Sequence, residues 1–153
     1  MLRPLGMLAL RTLRLYWRIT KPVTFGARAI VLGPDGRIVL VKHTYDRYWY
    51  LPGGATKKGE AAEAAVRREV KEEIGVDDVA IERKLGTYVS TQEGKRDTID
   101  VFVVRAAAIG RVPRYEIAAA EWFAPDALPS DISPATRRRV LEFLGKRLIE
   151  PVW

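Results

Sequence analysis

No cysteine occurs anywhere in the 153-residue chain. That excludes disulfides, thiolate metal sites and a cysteine nucleophile. It is compatible with a reducing cytosol, the location expected here. Histidine occurs once, at His43, so a zinc site built from several histidines is also excluded. Any metal held by this chain must be held by oxygen, which points to Mg2+ or Mn2+. Acidic residues are missing from the first 34 positions, which carry six Lys/Arg, whereas the other 119 hold twenty basic and nineteen acidic side chains. The net charge of +7 is thus mostly a property of the N-terminal segment. A chain-wide nucleic-acid surface is disfavoured. No repeat, low-complexity tract or Gly/Ser linker divides the chain, which is long enough for one domain with a proper core.

Residues 1–20 read as a helix after Pro4. On a helical wheel Arg3, Arg11, Arg14 and Arg18 fall within roughly 80°, with Leu, Tyr, Trp and Ile over most of the remainder. The arginines interrupt the apolar run, so it makes a poor transmembrane span, and it lacks the layout of a secretory signal. Residues 1–22 therefore read as a basic amphipathic extension. Three readings are open for it: packing on its own domain or on a second copy in a homodimer, peripheral contact with an anionic membrane, and disorder or a targeting role.

From residue 23 the pattern changes. Residues 25–32 and 37–42 are apolar runs separated by Gly33-Pro34-Asp35-Gly36, a strong turn signal, and read as a hairpin. Trp49-Tyr50-Leu51-Pro52-Gly53-Gly54 leads into a loop, and a helix is expected from near Glu60 to Ile74. Strands are expected at 79–90, 99–106 and 121–123. Ser133 and Pro134 make a good N-cap and first position for a last helix reaching about Leu148. Arg137, Arg138 and Arg139 read as its solvated face. Strands interleaved with helices give a mixed α/β domain over residues 23–153.

Glu69, Glu72 and Glu73 stand at offsets 0, 3 and 4, so a helix gathers them on one side, where like charges repel. Glu72 and Glu73 also precede Gly75, a candidate C-cap, where the helix dipole is already negative. A helix carrying both penalties is expected to hold a cation. Val66, Val70 and Ile74 form an adjacent stripe that reads as core. Ala62 and Ala65 lie on the side of Glu69 and Glu73, small enough to let a bulky ligand approach.

The stretch 54–76 resembles the box of the Nudix hydrolases: Gly, five residues, Glu, seven residues, then Arg-Glu-U-x-Glu-Glu-x-Gly-U, with U a bulky aliphatic. Gly54, Glu60, Arg68, Glu69, Val70, Glu72, Glu73, Gly75 and Val76 fill every defined position. Trp49 to Gly54 before it, and Glu121-Trp122-Phe123 after it, also look like features of that family. The resemblance implies a mixed β-sheet sandwiched between α-helices. It implies metal-dependent hydrolysis of a diphosphate linkage in a small, nucleotide-derived substrate. By the same resemblance Glu69 and Glu73 lead the metal ligands, with Glu72, Glu116 and Gly54 in the set. Arg68 orients a box glutamate, and Glu72 or Glu116 is the base. Glu60 is an outer ligand or a helix-start acid. Arg28, Lys42 and Arg47 are candidate phosphate contacts, and Tyr45, Tyr48 and Trp49 candidate stacking partners for a base. His43 reads as a surface or internally satisfied residue. The complete box argues against a non-catalytic regulatory Nudix domain. The near-neutral charge beyond residue 34 argues against action on RNA 5′ ends.

Overall fold

The computed structural model describes residues 12, 13, 16 and 19–153. The expected helix over residues 1–20 lies largely outside the described residues; Thr12, Leu13, Tyr16, Ile19 and Thr20 are helical and exposed.

Seven strands form one mixed sheet: β1 (Val23–Leu32), β2 (Ile38–His43), β3 (Trp49–Tyr50), β4 (Gly53–Ala55), β5 (Ala80–Ser90), β6 (Arg96–Arg105) and β7 (Ile117–Phe123). The main path runs β3-β2-β1-β6-β5, with β4 on β1 and β7 on β2. Helices α1 (Ala62–Ile74) and α2 (Pro134–Phe143) cover its two faces. The β6 run Ile99 to Val104 is apolar except for Asp100, as a strand covered on both sides requires. Its Phe102 and Val104 pack with Val66, Val70 and Ile74 of α1. Its Ile99, Val101 and Val103 pack on the other face, with Val140 of α2. Each fully buried aliphatic in these stripes contributes about 1.5–3 kcal/mol.

The expected hairpin is real only at its turn. β1 and β2 share one register pair, Leu32 with Ile38, and then diverge. The chain that follows fills the opening: β3 pairs with Val41 and Lys42 of β2, and β4 with Gly26, Ala27 and Arg28 of β1. β1 takes its long partner from β6, parallel along its whole length. β2 takes its own from β7, which starts at Ile117 rather than near 121. This split delivers Gly53 and Gly54 to the sheet surface under α1.

α1 starts at Ala62, two residues later than expected, because Glu60 serves the preceding loop: its Oε2 accepts from the Lys57 N–H at 2.8 Å. It ends at Gly75, which adopts φ +69° and donates its N–H to the Lys71 carbonyl. α2 is capped by Ser133, whose Oγ accepts from the Thr136 N–H at 3.2 Å. It stops at Phe143 rather than near Leu148, with Gly145 in the left-handed region just beyond.

Arg139 is the clearest departure from expectation. It is 0% exposed, not solvated. Its Nη2 donates to Glu142 Oε1 at 2.8 Å and its Nη1 to the Val152 carbonyl at 2.9 Å, and its guanidinium lies 3.8 Å from the Tyr88 ring centroid. The tail is tied to β5 at the same place, with the Trp153 N–H donating to the Val89 carbonyl at 3.0 Å.

Candidate active site

The site is built where α1 lies over the β4 turn. Gly53 holds φ +142°, and a side chain there would collide with the Ala27 carbonyl, so only glycine fits. Its peptide is gripped on both sides. The Gly53 N–H donates to Glu73 Oε2 at 2.9 Å, and Arg28 Nη1 donates to the Gly53 carbonyl. At the next residue the backbone meets Glu69: a Cβ on Gly54 would lie 2.6 Å from Glu69 Oε1. Both carboxylates of this helix face therefore converge on one bare backbone turn.

Arg68 organises the other side. Its Nε and Nη2 donate to Glu60 at 2.8 and 2.9 Å, a two-pronged contact. Its Nη1 donates to Glu69 Oε1 at 2.7 Å and to Glu72 Oε2 at 3.2 Å, and its Nη2 also reaches the Ala55 carbonyl. The hydrogen bond from Arg68 holds Glu60 down at a pKa of about 2, and the Glu60 carboxylate in turn raises the pKa of Arg68. The repulsion read from the glutamate spacing is thus partly answered within the chain.

Glu73 is not answered in this way. It is 5% exposed. Burial, reinforced by Glu69 and Glu116, raises its pKa to about 7 against the pull of the Gly53 N–H and Arg28. His43 Nε2 stands 3.8 Å from Glu73 Oε1, too far for a hydrogen bond. Burial and Arg28 lower the His43 pKa, outweighing Glu116 and Asp46, so the ring is neutral near pH 7. Its Nδ1 is buried without a partner, and the ring stacks on Tyr45 at 5.1 Å. Glu116 is exposed beside β7, and its charge also bears on His43 and Tyr45.

The donors suit a hard divalent cation. They are oxygen donors, one carboxylate is buried and poorly compensated as an anion, and a Cβ would close the Gly54 approach. Among the described residues no three acidic or histidine side chains form a finished cage. Two carboxylates completed by water and substrate phosphate oxygens is the usual arrangement for Mg2+.

Several expectations change. Lys42 and Trp49 are not brought to the glutamates. They pair across β2 and β3 on the α2 face, where Lys42 Nζ bonds Asp131 at 2.6 Å and Trp49 packs edge-on against Phe123. Arg47 is exposed and lies over the Tyr48 ring. Ala65 is fully buried in the core and clears no space for a ligand, whereas Ala62 borders a groove of about 480 Å3 with Phe25, Lys57, Lys58 and Glu60. Besides Arg68, Arg28 and His43 reach the site. The sequence signal for His43 was the two-residue period of β2: Val39 and Val41 face α1, and His43 is next on that side.

The family model described as NUDIX domain matches residues 22–144. A Bacillus subtilis protein carrying the provisional name 8-oxo-dGTP diphosphatase is 33% identical over 123 residues, 78% of this chain and 79% of its own length. A MutT-like protein of Streptomyces ambofaciens is 32% identical over 117 residues, 75% of this chain and 73% of its own. The crystal structure of a MutT NUDIX hydrolase from Burkholderia pseudomallei superposes with a TM-score of 0.65 at 32% identity, covering 78% of this chain and 97% of that one.

Proposed function

The chain belongs to the Nudix family of hydrolases, which act on pyrophosphate bonds, and we propose that its own reaction is the divalent-metal-dependent cleavage of a diphosphate linkage in a nucleoside diphosphate derivative or nucleoside triphosphate. The observation that carries this reading is the convergence of Glu69 and buried Glu73 on the Gly53 and Gly54 backbone. A bound Mg2+ or Mn2+ would neutralise the diphosphate, polarise a phosphoryl oxygen and make a water more acidic. Glu69 and Glu73 would hold it, with Gly54 leaving room beside them. Arg68 fixes the rotamer of Glu69 through a 2.7 Å bond. Arg28, beside Gly53, supplies positive charge to an incoming phosphate. Glu116 takes the proton of the attacking water: its carboxylate faces solvent and among the described residues no salt bridge holds it, whereas Glu72 is tied to Arg68.

The name of the Bacillus subtilis relative makes nucleoside triphosphates, oxidised purines included, the first substrates to try, followed by nucleotide sugars, dinucleotides and coenzyme A esters. The test is product release from that panel with Mg2+ and Mn2+. Metal-dependent turnover of at least one compound is expected, and no turnover of any of them with either ion would sink the reading. Glu116→Gln with unchanged turnover would remove Glu116 from the chemistry and leave Glu72.

A further inference from the structure

An apolar surface that begins at the rim of the Phe25 groove has no assigned role in the proposed hydrolase chemistry. Leu13, Tyr16 and Ile19 recur at three-residue steps on one side of the helical segment and are exposed by 41, 60 and 77%. Val23 and Phe25 follow on one side of β1, 61 and 55% exposed. These five make up half of the large apolar side chains exposed among the described residues, gathered within a short stretch of chain. The stretch is not a loose tail at its C-terminal end. Lys21 adopts φ +45°, turning the chain out of the helix, and the Pro22 carbonyl accepts from the Arg96 N–H at 3.0 Å. Beside this junction is a surface recess of about 380 Å3 whose described lining includes Lys21, Lys95 and Arg96.

We propose that this surface, the apolar side of Leu13, Tyr16 and Ile19 with Val23, Phe25 and the basic recess at Lys21 and Arg96, docks the enzyme on an anionic lipid bilayer. Charge chooses the occupant. The first 34 residues carry no acid and six basic side chains, five of them apart from Arg28 at the site. A second copy meeting this face about a two-fold axis would set like charges against each other. The rest of the chain, at twenty basic and nineteen acidic groups, offers no counter-charge excess. A bilayer surface rich in anionic headgroups accepts both parts at once, apolar side chains at the acyl boundary and Lys/Arg among the phosphates. Among the described residues no helix is long and apolar enough to cross a membrane, and Arg11, Arg14 and Arg18 break the apolar run of the N-terminal segment, which favours a peripheral contact.

The test is co-sedimentation of the full chain with phosphatidylcholine vesicles, with and without phosphatidylglycerol. Binding about tenfold tighter to the anionic vesicles is expected, weakening with salt. The double variant Tyr16→Asp/Ile19→Asp removes the apolar contribution, and Lys21→Glu/Arg96→Glu the basic one. Each is expected to weaken binding by about tenfold or more. No binding to anionic vesicles, equal binding to both compositions, or full binding by both variants would overturn the proposal. So would a concentration-dependent dimer of the parent chain that Tyr16→Asp/Ile19→Asp dissolves, since that gives the surface to a second copy.

Discussion

Glu73 carries an unusual charge for its place. Folding raises its pKa from 4.5 to about 7, mainly by burial. Between those values the folded chain binds more protons than the unfolded one, so metal-free stability falls as pH rises through that window and levels off above it. A rise of that size corresponds to about 3 kcal/mol. Melting the metal-free protein from pH 4.5 to 8 is expected to show this decline, and Glu73→Gln should flatten it while keeping the fold. An equal decline in both would assign the pH dependence to other groups. Arg68 makes a different kind of contribution. Its planar fork holds Glu60, Glu69 and Glu72 together, a geometry lysine cannot copy. Arg68→Lys is expected to lower kcat by about tenfold or more through misplaced Glu69, and to lower the melting temperature as well, because Arg68, Glu60 and Glu69 are largely shielded from solvent. Steady-state kinetics beside a thermal melt separates the two effects.

Elements place these residues, and two elements show how far local pattern reaches. The period of α1 could be read from Val66, Val70 and Ile74, which are core, and its end from Gly75, which caps it. The box glutamates and Arg68 were legible for the same reason: one helix relates them at fixed offsets. Pairing between strands was not legible. Nothing local in residues 25–42 says that β1 and β2 part after one pair and admit β3 and β4. That divergence decides the fate of Lys42, Trp49 and His43, because it sets which face of β2 meets α1. The arginine run of α2 failed similarly: Arg139 is buried by Tyr88 from β5, far off in sequence, and by the C-terminal tail folding back from beyond α2. Removing Arg139 alone leaves Glu142 buried with, among the described residues, the Tyr88 hydroxyl as its remaining side-chain partner. Arg139→Met is expected to cost about 3–5 kcal/mol in urea unfolding, and Arg139→Met/Glu142→Leu to recover most of it. A single-variant cost below about 1 kcal/mol would show that the pair is not sealed from water.

At the scale of the whole molecule the sheet acts as a partition. One face carries α1, the glutamates and His43, with Arg28 reaching the Gly53 carbonyl from β1, and the other carries α2 with the Arg139 cluster. Binding of a cation on the first face should be felt globally, because it offsets the buried charge of Glu73. A ligand at a hundred times its dissociation constant adds about 2.7 kcal/mol, worth several degrees in a domain of this size. Mg2+ or Mn2+ is therefore expected to raise the melting temperature at pH 8 more than at pH 5, where Glu73 keeps its proton and competes. A chelator should reverse the gain. The most direct test of the central claim, that Glu69 and Glu73 form a divalent cation site, needs no substrate: titrate Mn2+ into the parent chain and Glu73→Gln at pH 8, reading free Mn2+ by electron paramagnetic resonance. Saturable binding by the parent chain, weakened about tenfold or more in the variant, is expected. Equal affinity in the two proteins would contradict the site.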